Sequence, residues 1–298
     1  MISQPDHERL VVTPVGPAEW SAAAIAWAAA EGWNPGLRDS DAFLPQDPGG
    51  FFLGRLDGAE VSAISVVNYG DEFAFLGFYL VDPRLRGRGL GIATWRAAIG
   101  HAAEDRVARP IGLDGVIAQQ ENYERSGFTA AYRTLKYGGV IRPCPRPAAP
   151  ETGLVVFPAR EVGIDELAAY DRQCYPAERR EFVHRWIAVP GHTAFAAISR
   201  DEEAIVGYGV IRPGRDAYRI GPLFADTPQA AAALYEALTA DLAGSPVQID
   251  VPEPNHAACD FAVERSLAVV FETARMYTAP VSIAAPHKVF GVTTLELG

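Results

Sequence analysis

Cysteine is scarce in this sequence and long apolar runs are missing. Both features argue against whole classes of protein, those held by disulfides or metals and those that span a membrane. The 298 residues include three cysteines, Cys144, Cys174 and Cys259, which are odd in number and lack metal-ligand spacing. That pattern favours a reduced, cytoplasmic setting and predicts no metal site. The Ala-rich run from Ala22 to Ala30 is too short to span a bilayer. Since MISQPDHERL also lacks the pattern of an export signal, we expect no membrane association.

Positive charge is also in short supply. Lys and Arg number 26 against 37 Asp and Glu, so the net charge is −11. This balance argues against a nucleic-acid partner and is compatible with a cationic amine substrate. Hydrophobic residues make up 49% and charged residues 21%, which describes a soluble globular chain rather than a disordered one.

Proline marks the expected boundary between domains, since a chain of this length predicts about two. The stretch RPCPRPAAP at 142–150 cannot continue a sheet and reads as an extended, stiff linker. We therefore predict a first domain at 1–141, a linker at 142–152 and a second domain at 153–298.

The first domain is organised around a strand, a turn rich in Arg and Gly, and a helix. The apolar run Phe73 to Val81 predicts a buried strand, Asp82-Pro83 breaks it, and helical spacing resumes at Ile92. This order aims backbone N–H groups at an anion from a helix N-terminus. Glycine lets the ligand approach closely and Arg adds positive charge, so the turn predicts a phosphate cradle. Its residues are Arg84, Arg86, Gly87, Arg88, Gly89 and Gly91.

Two motifs in this half resemble a known family. The turn Arg86-Gly87-Arg88-Gly89-Leu90-Gly91 is similar to the (Gln/Arg)-x-x-Gly-x-(Gly/Ala) signature of the GNAT acetyltransferase superfamily. Tyr123-Glu124-Arg125-Ser126-Gly127-Phe128 resembles that family's Tyr-x-x-x-Gly-Phe, and a short strand from Pro110 to Val116 lies between them. The resemblance is specific from about Leu10 to Val140. It implies an α/β (α+β) fold, with a mixed, mostly antiparallel central sheet flanked by helices.

The resemblance also implies acetyl-CoA as co-substrate, without a metal. In the family the turn and helix hold the pyrophosphate, and the strand before the turn pairs with the pantetheine arm. An Asn that often contacts this arm is replaced here by Val116, for which Gln119 or Asn122 could substitute. The expected cofactor contacts are Tyr79, Leu80, Val81, Arg86, Gly87, Arg88, Gly89, Leu90, Gly91, Ile92 and Asn122.

Tyr123 is the expected general acid, because a phenol within reach of the departing thiolate can protonate it. The alternative is an ordinary tyrosine packed on the sheet. Asp114 is the first choice as general base, since a strand carboxylate between apolar neighbours is costly unless used or paired. Glu72 and Asp39 come behind it, proton loss to water is a further route, and Asp114 could instead pair with Arg109.

The loop from Gly32 to Asp41 is the candidate acceptor site, since the family places this segment beside the acceptor. Trp33, Asn34 and Asp39 could hold an amine through a carboxylate and an aromatic wall. The alternative is a plain capped loop, with Asp39 as an N-cap. We expect acetyl transfer to a primary amine, of a small molecule rather than a protein lysine or N-terminus. A non-catalytic acyl-CoA sensor or scaffold is the competing class.

The second half repeats the first in outline, from Leu154 to about Thr278, but lacks its chemistry. An acidic loop, Ala225 to Ala230, stands where the Arg/Gly turn should be, and Val263 stands in the place of Tyr123. We expect a degenerate GNAT-like domain that binds no cofactor and either closes over the acceptor site or forms a subunit interface. A homodimer stays open as an alternative to a monomer.

Overall fold

In the computed structural model the described residues are 5–103, 107–143 and 153–298. Most of the expected linker, 144–152, lies outside them, so the linker and the division into 1–141 and 153–298 stay predictions. Within the described ranges no helix is both long and apolar enough to cross a membrane. The strands are β1 Leu10–Pro14, β2 Phe51–Leu56, β3 Ala59–Tyr69, β4 Phe73–Val81, β5 Ile111–Val116, β6 Thr129–Val140, β7 Leu154–Pro158, β8 Thr193–Ser199, β9 Ala204–Pro213, β10 Tyr218–Ala225, β11 Pro246–Pro252, β12 Ala268–Tyr277 and β13 Val289–Gly291.

The helices flank the sheet in the order that the periodic patterns predict. They are α1 Asp6–Arg9, α2 Pro17–Trp20, α3 Ala26–Ala30, α4 Ser40–Gln46, α5 Leu90–Ala98, α6 Gln120–Arg125, α7 Ile164–Cys174, α8 Arg180–Ala188, α9 Pro228–Thr239 and α10 His256–Glu264. The continuous helix expected over the Ala-rich run is interrupted by a π-helical turn, Ser21–Ile25, between α2 and α3. The helix after the glycine turn begins at Leu90, two residues earlier than expected.

One sheet runs through both halves of the described chain, and the two halves exchange their last strands. The strand order is β1-β2-β3-β4-β5-β12-β6-β11-β10-β9-β8-β7. Strand β12 from the second half pairs with β5 of the first, and β6 from the first half pairs with β11 of the second. The pairs β4–β5 and β10–β11 are parallel and the others antiparallel, so the expected mixed, mostly antiparallel sheet is confirmed.

A single aromatic core joins the halves on one face of the sheet. Phe43 of α4 stacks on Trp186 of α8, with ring centroids 5.6 Å apart and planes 4° from parallel. Trp20 packs edge-on against Phe78 of β4 in the same cluster. Beside these rings, Arg212 Nε donates a hydrogen bond of 2.8 Å to the buried carboxylate of Asp39. The halves therefore share their interior rather than merely touching.

The sheet opens between β4 and β5. Their parallel pairing covers Ala74 to Leu76 on β4 and stops there. The β3–β4 register shifts immediately afterwards, and Phe78 adopts a positive φ of 47°. A bulge of this kind bends and twists its strand, so β4 turns away from its neighbour. On the other side, β12 holds the end of β5 through the pair Arg275–Asp114. A wedge-shaped cleft results.

The matching cleft of the second half is filled by the chain itself. Parallel pairing of β10 with β11 ends at Ile220 and Ile249. Strand β13 then enters the opening and pairs antiparallel with β10, while Val292 N donates to Asp250 O of β11 at 2.9 Å. An extended ligand could not occupy this space without displacing β13.

Candidate active site

A cavity of about 860 Å³ occupies the cleft between β4 and β5. The predicted residues that line it are Trp33, Tyr79, Leu80, Val81, Arg86, Gly87, Gly89, Leu90, Gly91, Ile92, Asp114, Asn122 and Tyr123. Three predicted site residues are absent from this lining: Asn34, Asp39 and Arg88. The structure therefore gathers most of the expected cofactor contacts, both catalytic candidates and one acceptor candidate around one space.

The glycine turn presents an uncapped helix start to the cavity. Gly89 is the N-cap of α5 at φ +79°, a conformation that glycine adopts without a Cβ penalty, and no side chain of the described chain caps the helix there. The N–H groups of a first turn have no partner within the helix, so here they are available to an anion. Gly91 must also lack a side chain, because a Cβ would lie 2.7 Å from the Tyr79 hydroxyl.

The arginines of the turn are paired with carboxylates. Arg86 forms an ion pair with Glu31, and its Nε donates to Val81 O at 3.1 Å. Arg88 pairs with Asp6 and is not among the residues that line the cavity, so its cofactor contact stays a prediction. Its guanidinium is drawn toward α1, an element that the sequence does not connect with the turn.

Tyr123 lies on α6 with its ring against Trp95, whose centroid is 5.9 Å away. It is 7% exposed and lines the cavity. Burial raises the pKa of this phenol, helped by the neighbouring Tyr79 hydroxyl. Tyr123 therefore stays protonated at neutral pH and can act as a proton donor.

Asp114 has a structural role that the sequence did not reveal. Arg275 Nη2 donates to its Oδ2 at 2.5 Å, and Thr134 Oγ1 donates to its Oδ1 at 3.0 Å. Thr273 Oγ1 also lies 3.3 Å from Oδ1. Through these contacts Asp114 anchors Arg275, and with it the exchanged strand β12. Both of its oxygens are therefore engaged, and its general-base role stays a prediction.

The acceptor loop is only partly exposed to the cavity. Trp33 lines it, but Asn34 and Asp39 are buried where the halves meet. Asn34 Nδ2 donates to Ala217 O at 3.1 Å, and Asp39 accepts from Arg212. These hydrogen bonds to the second half favour the alternative role of a structural loop, and the amine contacts of Asn34 and Asp39 stay predictions.

Several cavity residues escaped the sequence analysis, and four of them come from the second half. Phe271 and Thr273 lie on β12, Leu295 and Glu296 lie on the segment after β13, and Glu31 follows α3. No local motif marks the first four, since the exchanged strand β12 brings Phe271 and Thr273 across and the segment after β13 brings Leu295 and Glu296. The apolar strand pattern at 268–277 signals a strand but not its neighbour.

Comparison with known families and proteins agrees with this geometry. The model described as "Acetyltransferase (GNAT) family" matches residues 19–128, and "Acetyltransferase (GNAT) domain" matches residues 167–291. The chain is 32% identical over 294 residues to holothin acyltransferase of Pseudoalteromonas sp. (strain SANK 73390), covering 98% of this chain and 96% of that protein.

Solved structures share the fold along the whole chain. A putative acetyltransferase from Pyrococcus horikoshii superposes with a TM-score of 0.79 at 19% identity, covering 100% of this chain and 98% of its own. A tandem GNAT protein from the clavulanic acid biosynthesis pathway gives a TM-score of 0.63 at 17% identity, covering 92% and 100%. At these identities the likeness shows the fold alone.

Proposed function

The chain belongs to the GNAT family of acyltransferases, and on this premise we propose that it transfers acetyl from acetyl-CoA directly to the primary amine of a small-molecule acceptor. The observation that carries the proposal is the cavity: the uncapped helix start, the open edge of β4 and Tyr123 line one continuous space. Such a space can hold a thioester between an anion-binding end and a proton donor.

The cofactor would enter along the open edge of β4. Its pyrophosphate fits the N–H groups at the start of α5, where the partial positive charge of the helix favours an anion. Its pantetheine arm fits beside Gly77 to Val81, where the pairing of β4 with β5 has ended. Arg86 lines this region and would exchange Glu31 for a phosphate oxygen.

Transfer would proceed by attack of the amine nitrogen on the thioester carbonyl carbon. The C–N bond forms, the C–S bond breaks, and the phenol of Tyr123 donates its proton to the departing sulfur. The position of Tyr123 in the cavity lining supports this assignment, and burial, which raises the pKa of the phenol, keeps it protonated until the sulfur leaves.

A small acceptor suits the walls of the cavity. Trp33 and Phe78 come from the first half, whereas Phe271 and Leu295 come from the second. Walls from two halves enclose a space better suited to a small molecule than to a protein tail. The relative named holothin acyltransferase supports the same class, so holothin is the first acceptor to test.

The test is an assay for free thiol released from acetyl-CoA with a panel of amines, including holothin and a lysine peptide. We expect release with a small amine, together with an acetylated product detected by mass spectrometry. Acetyl-CoA binding without release by any amine would replace the proposal with an acyl-CoA sensor. Release with the lysine peptide alone would make the acceptor a protein.

A further inference from the structure

The segment after β13 carries the second half into the active site. Thr294 Oγ1 accepts hydrogen bonds from the N–H groups of Glu296, at 3.2 Å, and Leu297, at 2.8 Å. The hydroxyls of Tyr69 and Tyr175 each donate to Leu297 O at 3.0 Å. These contacts fix the backbone of the segment rigidly beside the cavity.

Glu296 lies at the apex of the cleft. Its backbone packs so closely on Gly77 that a Cβ on that glycine would collide with Glu296 O. Gly77 is the first residue of β4 after the pairing with β5 ends. Leu295 and Glu296 both line the cavity that also holds Tyr123. The segment therefore brings Glu296 to the point where the strands separate.

The carboxylate of Glu296 is buried and incompletely satisfied. The residue is 3% exposed, and its Oε2 has no hydrogen-bond partner among the described residues. Burying a carboxylate oxygen without a hydrogen-bond partner costs free energy unless a ligand supplies the missing hydrogen bond. Burial raises the pKa of Glu296, which brings its carboxyl closer to the range of a useful base.

The other carboxylates that line the cavity are already engaged. Glu31 is paired with Arg86, and Asp114 with Arg275. Lys136, whose charge acts on Glu296, donates from its Nζ to Trp33 O at 2.8 Å. Among the described carboxylates lining this space, Glu296 is thus the one that has an oxygen without a hydrogen-bond partner and no ion pair.

We infer that Glu296 is the proton acceptor for a cationic primary amine bound at the apex of the cleft. This inference rests on the proposed acetyl transfer and assigns the general base to Glu296 in preference to Asp114, whose two oxygens are engaged. It also defines the acceptor as an amine protonated at neutral pH, since such a substrate arrives with a charge that complements the carboxylate.

The protons balance across the two residues. Glu296 removes one proton from R–NH3⁺ and releases it to solvent. The neutral amine adds to the carbonyl carbon, the C–S bond breaks, and Tyr123 protonates the thiolate. The nitrogen then passes its extra proton to the Tyr123 phenolate, which restores the phenol. The net products are the amide, free CoA thiol and one proton.

Substitution of Glu296 tests the inference with the full-length protein. With an alkylamine acceptor we expect Glu296→Gln to lower kcat by about 100-fold or more, while acetyl-CoA affinity by calorimetry stays near wild type. With a weakly basic arylamine, neutral at assay pH, the deficit should shrink at least about tenfold, because no ammonium proton must be removed. The matched control is Glu264→Gln, which removes an exposed carboxylate on α10 and should behave as wild type.

The pH profile separates a base from a merely structural residue. Lys136, Arg219, Asp39 and Asp250 face Glu296 from the neighbouring elements, and the two cations partly offset the rise in its pKa caused by burial. A raised carboxyl pKa means that the base is lost as pH falls through it, so the wild type should show an acidic limb set by Glu296. In Glu296→Gln this limb should be absent, and activity with the alkylamine should instead rise with pH up to the pKa of the amine.

Two results would overturn the inference while leaving acetyl transfer intact. The first is an active wild type with a Glu296→Gln variant of equal kcat and unchanged pH profile. The second is an equal loss of kcat toward the alkylamine and the arylamine. If Glu296→Gln does not fold, Glu296→Asp serves as the test variant. Its shorter carboxylate should lower kcat and shift the acidic limb of the pH profile. An unshifted pH profile would contradict the role of Glu296 as a base. Failure of the wild type with every amine would instead refute the proposed function.

Discussion

Tyr123 reaches the cavity because its neighbours leave room for the ring. A Cβ on Gly115 would collide with the edge of that ring, so β5 must carry glycine at this position. Trp95 and Phe128 pack around it in one aromatic cluster. The ring is thus held by packing, and its hydroxyl is the group that could take part in proton transfer.

Tyr123→Phe should lower kcat by about ten- to a thousandfold, because the acid is lost while the packed ring remains. Acetyl-CoA affinity, measured by calorimetry, should change little. Tyr235→Phe on α9 is the control, since that tyrosine lies in the other half. An unchanged kcat under conditions where chemistry limits the rate would return Tyr123 to a packing role.

Gly89→Glu should abolish acetyl-CoA binding, because its carboxylate would repel the pyrophosphate at the start of α5. The control is Gly89→Ala, which carries the same backbone strain of about 1 kcal/mol at positive φ but no charge. Calorimetry and thermal melting should show both variants similarly destabilised, with binding retained by Ala alone. Near-wild-type affinity of the Glu variant would refute the cradle.

At the scale of elements, local patterns predicted the strands and helices well and their partners poorly. The bounds of β4 and α7 agree with the apolar periodicity, because each pattern is complete within its own segment. The exchange of β6 and β12 was invisible, since alternation shows that a segment is a strand but not which strand lies beside it. β13 was missed because a strand of three residues is too short to show an alternation of apolar and polar residues.

The candidate site divides in the same way. The glycine turn and Tyr123 were predictable because their chemistry depends on spacing along one short segment. The surroundings of Asp39 and Glu296 were not predictable, because the sequence does not show whether a carboxylate binds an arginine or a substrate. Asp39 binds Arg212, which lies 173 residues along the chain, and Glu296 packs against Gly77 in the other half.

Acetyl-CoA should bind once per chain, because β13 occupies the second cleft. The start of α9 is closed as well: Thr227 Oγ1 caps Ala230 N at 3.1 Å, and Pro228 has no N–H to offer. Calorimetric stoichiometry checks this expectation, and Gly89→Glu should leave no residual site. Two cofactors per chain, or binding that survives Gly89→Glu, would contradict it.

At the scale of the whole molecule, neither half can complete its own sheet. Without β12, β5 and β6 of the first half would each present an open strand edge. The aromatic face around Phe43 would also lose Trp186. The second half therefore has a structural part in the candidate site as well as supplying its far wall.

A fragment ending at Arg142 should aggregate, because of these open edges and the uncovered aromatic face. Co-expression of 1–146 with 147–298 should restore a soluble complex that elutes as one species and binds acetyl-CoA. Size-exclusion chromatography and calorimetry make the comparison. A soluble, fully active fragment ending at Arg142 would show that the second half is dispensable for catalysis.

The exchanged strand β12 also determines when the candidate site can be completed during synthesis of the chain. Arg275 meets Asp114 across 161 residues of chain. At ribosomal rates of about 5–20 residues per second, the cradle emerges roughly ten to thirty seconds before β12 can join it. Throughout that interval the nascent chain carries the glycine turn without the far wall of the cavity and without Glu296. We therefore expect a message cut short anywhere in this stretch to yield an inactive product, not a weakly active one.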